Sequence, residues 1–216
     1  MDKKILMFLM ILSFLLLTIN SPAEIKNPSK YRVINTTSKR AKLNGVQGLG
    51  VGNIIFSSQE MPKGGEDGYS DIRNTFYFGD DTSIHCRAYY PGTFESMIEK
   101  VKSSVSGVKF INKHAVLEVN GPGENFPLRA KMTSTTPIAE IADWDQERYQ
   151  LLPYSAGSNQ DFNQVNLSED DYQSGQEYTV SISVYLKFQT GVDKLTGGPI
   201  YTDYLIAYGE FKYIKR

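Results

Sequence analysis

The stretch from Tyr178 to Gln189, "YTVSISVYLKFQ", decides the fold class of this chain. Tyr178, Val180, Ile182, Val184, Leu186 and Phe188 alternate without a break with Thr179, Ser181, Ser183, Tyr185, Lys187 and Gln189. Successive side chains of a strand point to opposite faces, so this pattern predicts a long antiparallel strand with one dry and one wet face. The ten-residue "TGVDKLTGGP" follows, then "IYTDYLIAYGEFKYIKR". The two long segments are expected to form a hairpin, with the second one continuous or broken near Gly209.

Working back toward the N-terminus, shorter strands are expected at Val51–Gln59, Thr75–Phe78, Ser83–Tyr90, "VKFINK", "HAVLEVN" and "FPLRAKMT", separated by turn residues such as "GDDT" and "GPGEN". In "HAVLEVN", Ala115, Leu117 and Val119 should face the core. One segment breaks the period of two. Phe94, Met97, Ile98, Val101 and Val105 fall at helical spacing, with Thr93 placed to cap the start and Gly107 to end it. The expected architecture is mainly β, an antiparallel β-sandwich, immunoglobulin-like in broad outline, with one short amphipathic helix. Trp144, the single tryptophan, is expected as a core anchor at a sheet corner, with an exposed aromatic platform as its alternative.

The N-terminal 24 residues carry Lys3 and Lys4, an apolar run from Ile5 to Ile19, and "NSPAE". That is the three-part pattern of a secretory signal peptide cut after Ala23. The run is shorter than the ~20 apolar residues of a spanning helix, so an uncleaved anchor is the weaker reading. Residues 24–50 form a basic, glycine-rich leader that crosses the domain surface or meets an anionic envelope surface, and residues 51–216 form a single domain. The chain is therefore expected to be exported to the periplasm, the cell surface or the extracellular space, without a transmembrane segment after cleavage.

Composition narrows the chemistry. A formal net charge of −1 lacks the basic excess of a nucleic-acid binder. "GLGVGN" lacks the third glycine and the following helix of a dinucleotide fingerprint, and neither a phosphate-loop lysine motif nor a serine-nucleophile elbow occurs. One cysteine and two separated histidines are too few for a zinc cluster unless carboxylates complete it. In "TSIHCRAYYP", period two places Cys86 with Ile84, Ala88 and Tyr90 on an apolar face, away from His85, so a buried structural thiol is expected rather than a nucleophile.

His85, Arg87 and Tyr89 share the opposite face and form a candidate exposed binding patch. Calcium is the one cofactor considered, through loops rich in oxygen ligands: Glu66, Asp67 and Asp71, then Asp80 and Asp81, with Glu169, Asp170 and Asp171 as a third group. The functional expectation is a non-catalytic binding or assembly protein that meets an envelope or extracellular protein or glycan. Two alternatives stand beside it: a hydrolase using convergent carboxylates on polysaccharide or peptide, and an accessory subunit joined by addition of its C-terminal strand, Gly209 to Arg216.

Overall fold

The computed structural model describes residues 29–43, 45–62, 66–81, 83–152 and 172–216. The signal-peptide reading of residues 1–23 and the acidic group 169–171 lie outside the described residues. Among the described residues there are eight strands: β1 Gly52–Ser57, β2 Thr75–Tyr77, β3 Ile84–Tyr89, β4 Lys109–Asn120, β5 Leu128–Thr133, β6 Gln146–Leu152, β7 Glu177–Val192 and β8 Pro199–Ile214. Helix α1 spans Lys39–Leu43 and helix α2 Phe94–Ser104. Among the described residues no helix is long and apolar enough to cross a membrane.

The alternation of the opening stretch is realised in full. Tyr178, Val180, Ile182, Val184, Leu186 and Phe188 are all completely buried, and β7 pairs antiparallel with β8 from Glu177↔Ile214 to Val192↔Pro199. Each such side chain contributes about 1.5–3 kcal/mol by leaving water. Helix α2 also forms as its spacing requires: Thr93 accepts a hydrogen bond from the Ser96 N–H at 3.2 Å, and Phe94, Met97, Ile98 and Val101 are buried.

The antiparallel sandwich is not what forms. The strands make one mixed, curled sheet in the order β5-β4-β7-β8-β1-β3-β6, with β2 also on β8. Strand β1 runs parallel to β8 for only two pairs, Gly52↔Ala207 and Asn53↔Tyr208, then leaves it and pairs antiparallel with β3 from Ile54↔Ala88 to Ser57↔His85. A strand that changes partners in this way turns a corner between two parts of a sheet. The β1-β3-β6 part therefore folds over the β5-β4-β7-β8 part, with the core between them. Alternation within a strand carries no information on whether its neighbour runs parallel, which is why this corner is invisible in the sequence.

Gly209 marks the crossing and not a break. Strand β8 is continuous, and a Cβ at Gly209 would lie 2.6 Å from the Ile54 carbonyl oxygen where β1 passes over it. Beyond the crossing, β2 takes the free edge of β8 through Thr75↔Lys212, Phe76↔Tyr213 and Tyr77↔Ile214. At 212–214 the C-terminal strand is therefore paired on both sides.

Aromatic rings fill the space under the corner. Phe211 meets Phe56 at 4.9 Å and Phe76 at 5.1 Å between centroids, and Phe78 stacks on Tyr213. Trp144 is not among them. It is 45 % exposed in the turn before β6, where its backbone carbonyl receives the Phe94 N–H and its side chain faces outward. The core-anchor expectation is corrected accordingly.

Candidate functional site

The sequence-derived patch on β3 is buried. Strand β3 is covered on both faces: Arg87 is 5 % exposed and Tyr89 fully buried, while His85 is half-buried. The cover comes from two segments whose contribution is not visible in β3 itself. The N-terminal arm lays Tyr31 against Tyr69 and sends the Arg32 guanidinium to the Tyr90 carbonyl (2.8 Å) and the Asp145 carboxylate (2.6 Å). The loop after β1 adds Met61, Tyr69 and Ile72 around Tyr89 and Ile55. Burial lowers the pKa of His85, with Glu60 opposing and Arg148 adding to the effect.

The acidic residues proposed for calcium do not gather around one point. Glu66 accepts hydrogen bonds from the Lys30 N–H and the Tyr89 hydroxyl, both 3.1 Å. Asp67 lies exposed in the same short helical turn. Arg73 bridges Asp71 and Asp81, and Asp80 pairs with Arg216 at 2.9 Å. Among the described residues no three acidic, histidine or cysteine side chains are grouped as metal ligands would be.

Cys86 is buried on the apolar face as expected, with its thiol 3.5 Å from the Tyr149 carbonyl oxygen. Burial pushes its pKa up, and Glu147 adds to the rise. A thiol held protonated is a poor nucleophile. Thiol reagent added to the native protein at neutral pH is expected to modify Cys86 only as fast as the chain unfolds; rapid modification in the folded state would contradict the burial.

A different site emerges on the outer face of the main sheet. Register sets Glu118 of β4 opposite Ser181 of β7, and Ser181 opposite Glu210 of β8. The neighbouring rows are Val116, Ser183, Tyr208 and Asn120, Thr179, Lys212. The middle strand thus carries small hydroxyl side chains while the flanking strands carry long ones. The result is a trough of about 480 Å³ with Ser181 and Ser183 on its floor and Glu118, Asn120, Tyr208 and Glu210 on its walls. At ~4.8 Å per strand spacing, Glu118 and Glu210 stand about 10 Å apart at the backbone.

The walls are held in place. Glu118 accepts from Arg129 Nε at 2.5 Å and from Asn120 Nδ2 at 2.8 Å. The Tyr208 hydroxyl donates to Glu210, and its pKa is pushed up to about 12, first by burial and then by that hydrogen bond, so it stays a donor. Arg40 of α1 lies 3.5 Å over the Tyr208 ring, in the range of a strong cation–π contact. Tyr185, at one end, stacks on His114 at 5.3 Å. His114 is buried with Nε2 3.5 Å from Asp203, and burial lowers its pKa against the opposing effect of Asp203.

The sequence puts Thr179, Ser181 and Ser183 on a wet face and Glu118 and Asn120 opposite the core-facing residues of their strand, but it assigns no face to Tyr208 or Glu210, and the row Glu118, Ser181, Glu210 exists only through the register of three strands. The one signal within reach was the run of small hydroxyls, Thr179, Ser181 and Ser183, at the centre of the longest strand. Chemically the trough offers donors from Arg40 and the second Asn120 N–H, acceptors from two carboxylates, and serine and threonine hydroxyls that can do either. No family model, curated protein or solved structure matches the chain.

Proposed function

We propose that this chain is an exported, non-catalytic binding protein of the cell envelope or extracellular space, and that the outer sheet trough takes a hydroxyl-rich ligand, a glycan. The observation that carries the reading is the trough itself. It is a continuous polar concavity on rigid strands, with interleaved donors and acceptors and a tyrosine at its side, which suits alternating sugar hydroxyls and ring C–H faces. The N-terminal signal-like sequence supports export.

Binding to an array of envelope and extracellular glycans tests it. The protein made from its full chain is expected to retain a subset of them, and Ser181→Trp, which fills the trough floor from the solvent side, is expected to weaken that retention about tenfold or more. Retention unchanged in Ser181→Trp, or no retention of any glycan, would remove the reading.

The second reading is a polysaccharide hydrolase, favoured by the position of Glu118 and Glu210 in one row across Ser181. Two carboxylates flanking a bound glycan are the groups that inverting hydrolysis uses. The same incubation separates the readings: recovered glycans of unchanged length support binding, whereas new reducing ends that vanish in both Glu118→Gln and Glu210→Gln support hydrolysis.

A further inference from the structure

On the other part of the sheet, strands β3 and β6 place Arg87 directly opposite Arg148. Like charges directly opposite one another destabilise a strand pair, so this register calls for an anion. Among the described residues only Arg148 has one, through Nη1 to the Glu60 carboxylate, and that glutamate's side chain is 66 % exposed. Arg87 is 5 % exposed and has no carboxylate partner among the described residues. Its Nη2 donates to the Met61 carbonyl at 2.8 Å and the Pro62 carbonyl at 3.3 Å, its Nη1 to Gln146 Oε1 at 3.3 Å, and its buried Nε has no partner. The Tyr69 ring lies 5.6 Å from the guanidinium, and a buried cation met only by such neutral groups is costly unless a counter-charge is supplied.

A cleft of about 590 Å³ opens beside this pair, walled by Glu60, Pro62, Gly68 and Arg148. Pro62 is both a wall of the cleft and an acceptor of Arg87, so the buried arginine sits directly behind the wall. Arg87 and Arg148 face Glu60 here, with His85 on the same face kept neutral by its burial, and Asp67 lies exposed in the turn that carries the cleft's Gly68. The Glu66 carboxylate accepts the Lys30 backbone N–H farther along the face, and Arg32 and Asp145 neutralise each other.

We propose that this cleft binds a compact oxyanion, a carboxylate or phosphate group of a ligand. Arg148 makes the direct contact, and Arg87 behind it, with no carboxylate of its own among the described residues, adds a second positive charge. Glu60 holds the position of that anion in the free protein. An exposed arginine–glutamate pair is weak, so an incoming anion displaces it at small cost. The site is independent of the sheet trough and does not rest on its reading.

Titration of the full chain with inorganic phosphate and, separately, with acetate, followed through the arginine Nε–H and backbone amide resonances, tests the proposal. In Glu60→Gln at least one of the two anions is expected to give saturable shifts confined to Arg87, Arg148 and Gly68, with affinity about fivefold above the unaltered chain, the equivalent of one exposed pair removed. Adding Arg148→Gln is expected to abolish them, and circular dichroism of the same variants checks that the sheet persists. Saturation by phosphate alone assigns a phosphate ligand, and saturation by acetate assigns a carboxylate. Absence of saturable shifts with both anions in Glu60→Gln, or shifts that survive Arg148→Gln, would overturn the proposal.

Discussion

Gly52→Ala is expected to destabilise the protein by about 4 kcal/mol or more, at the extreme of single-substitution effects. The usual sign of such a change is the opposite, because glycine in a strand costs about 0.5–1 kcal/mol relative to alanine. Here the added Cβ would lie 1.8 Å from the Tyr89 carbonyl oxygen and 2.8 Å from its carbonyl carbon. Both belong to backbone that no rotamer change can move. Gly52 begins the two-pair contact of β1 with β8, immediately before β1 departs for β3. Displacing it would open the corner that joins the two parts of the sheet. Gly209→Ala should cost less, about 1–3 kcal/mol, since its nearest contacts, the Ile54 oxygen at 2.6 Å and Cβ at 2.7 Å, overlap far less than the 1.8 Å approach at Gly52. Gly191→Ala is the control: its nearest contact is an ordinary 3.7 Å from the end of the Ile200 side chain, and its expected effect is within about 1 kcal/mol. Urea denaturation midpoints of the three variants decide the matter, and a Gly52→Ala midpoint equal to that of Gly191→Ala would refute the account of the corner.

The two glycines also show where legibility in the sequence ends. A glycine in a strand pattern signals a bulge, a break or a close approach, and the residues around Gly209 do not say which. Strand β7, the hairpin with β8 and helix α2 were readable because each is specified by its own residues: a strict period of two, a ten-residue connection and a helical stripe with its cap. The cover over β3 was not readable, because alternation predicts which side chains share a face but not whether another segment lies on that face. Tyr31, Arg32 and Met61 provide that cover from segments with no strand pattern of their own. The sheet trough fails to show for a related reason: its floor is legible in Thr179, Ser181 and Ser183, and its walls depend on register.

The largest electrostatic effect is expected inside the core, at Lys113. Between Phe110↔Phe188 and Asn112↔Lys187 the β4–β7 ladder contains one extra residue, Ile111, and this bulge sets the next lysine opposite Leu186 on the inner face. Its ammonium group pairs with both oxygens of Glu147 on β6, with its side chain only 3 % exposed. The same carboxylate accepts from the Tyr90 hydroxyl at 2.8 Å and the Tyr149 hydroxyl at 2.7 Å, and the Phe94 ring lies 5.4 Å from the lysine nitrogen. The pair thus ties β4 to β6, near the two ends of the curled sheet, through its interior. Removing one member strands the other: Glu147→Leu leaves a buried ammonium, Lys113→Met leaves a carboxylate held by two tyrosines, and each is expected to cost about 3–5 kcal/mol. Replacing both together removes the stranded charge, while Tyr90 and Tyr149 retain their mutual contact at 3.2 Å. The double variant should therefore be more stable than either single one, and substitution of a buried pair by apolar groups is often neutral or stabilising by about 1–4 kcal/mol. A double-mutant cycle by chemical denaturation reads the coupling directly. Additive single effects would mean that water reaches Glu147 well enough to screen it, and that hydrophobic packing alone, without the ion pair, holds β6 over the core.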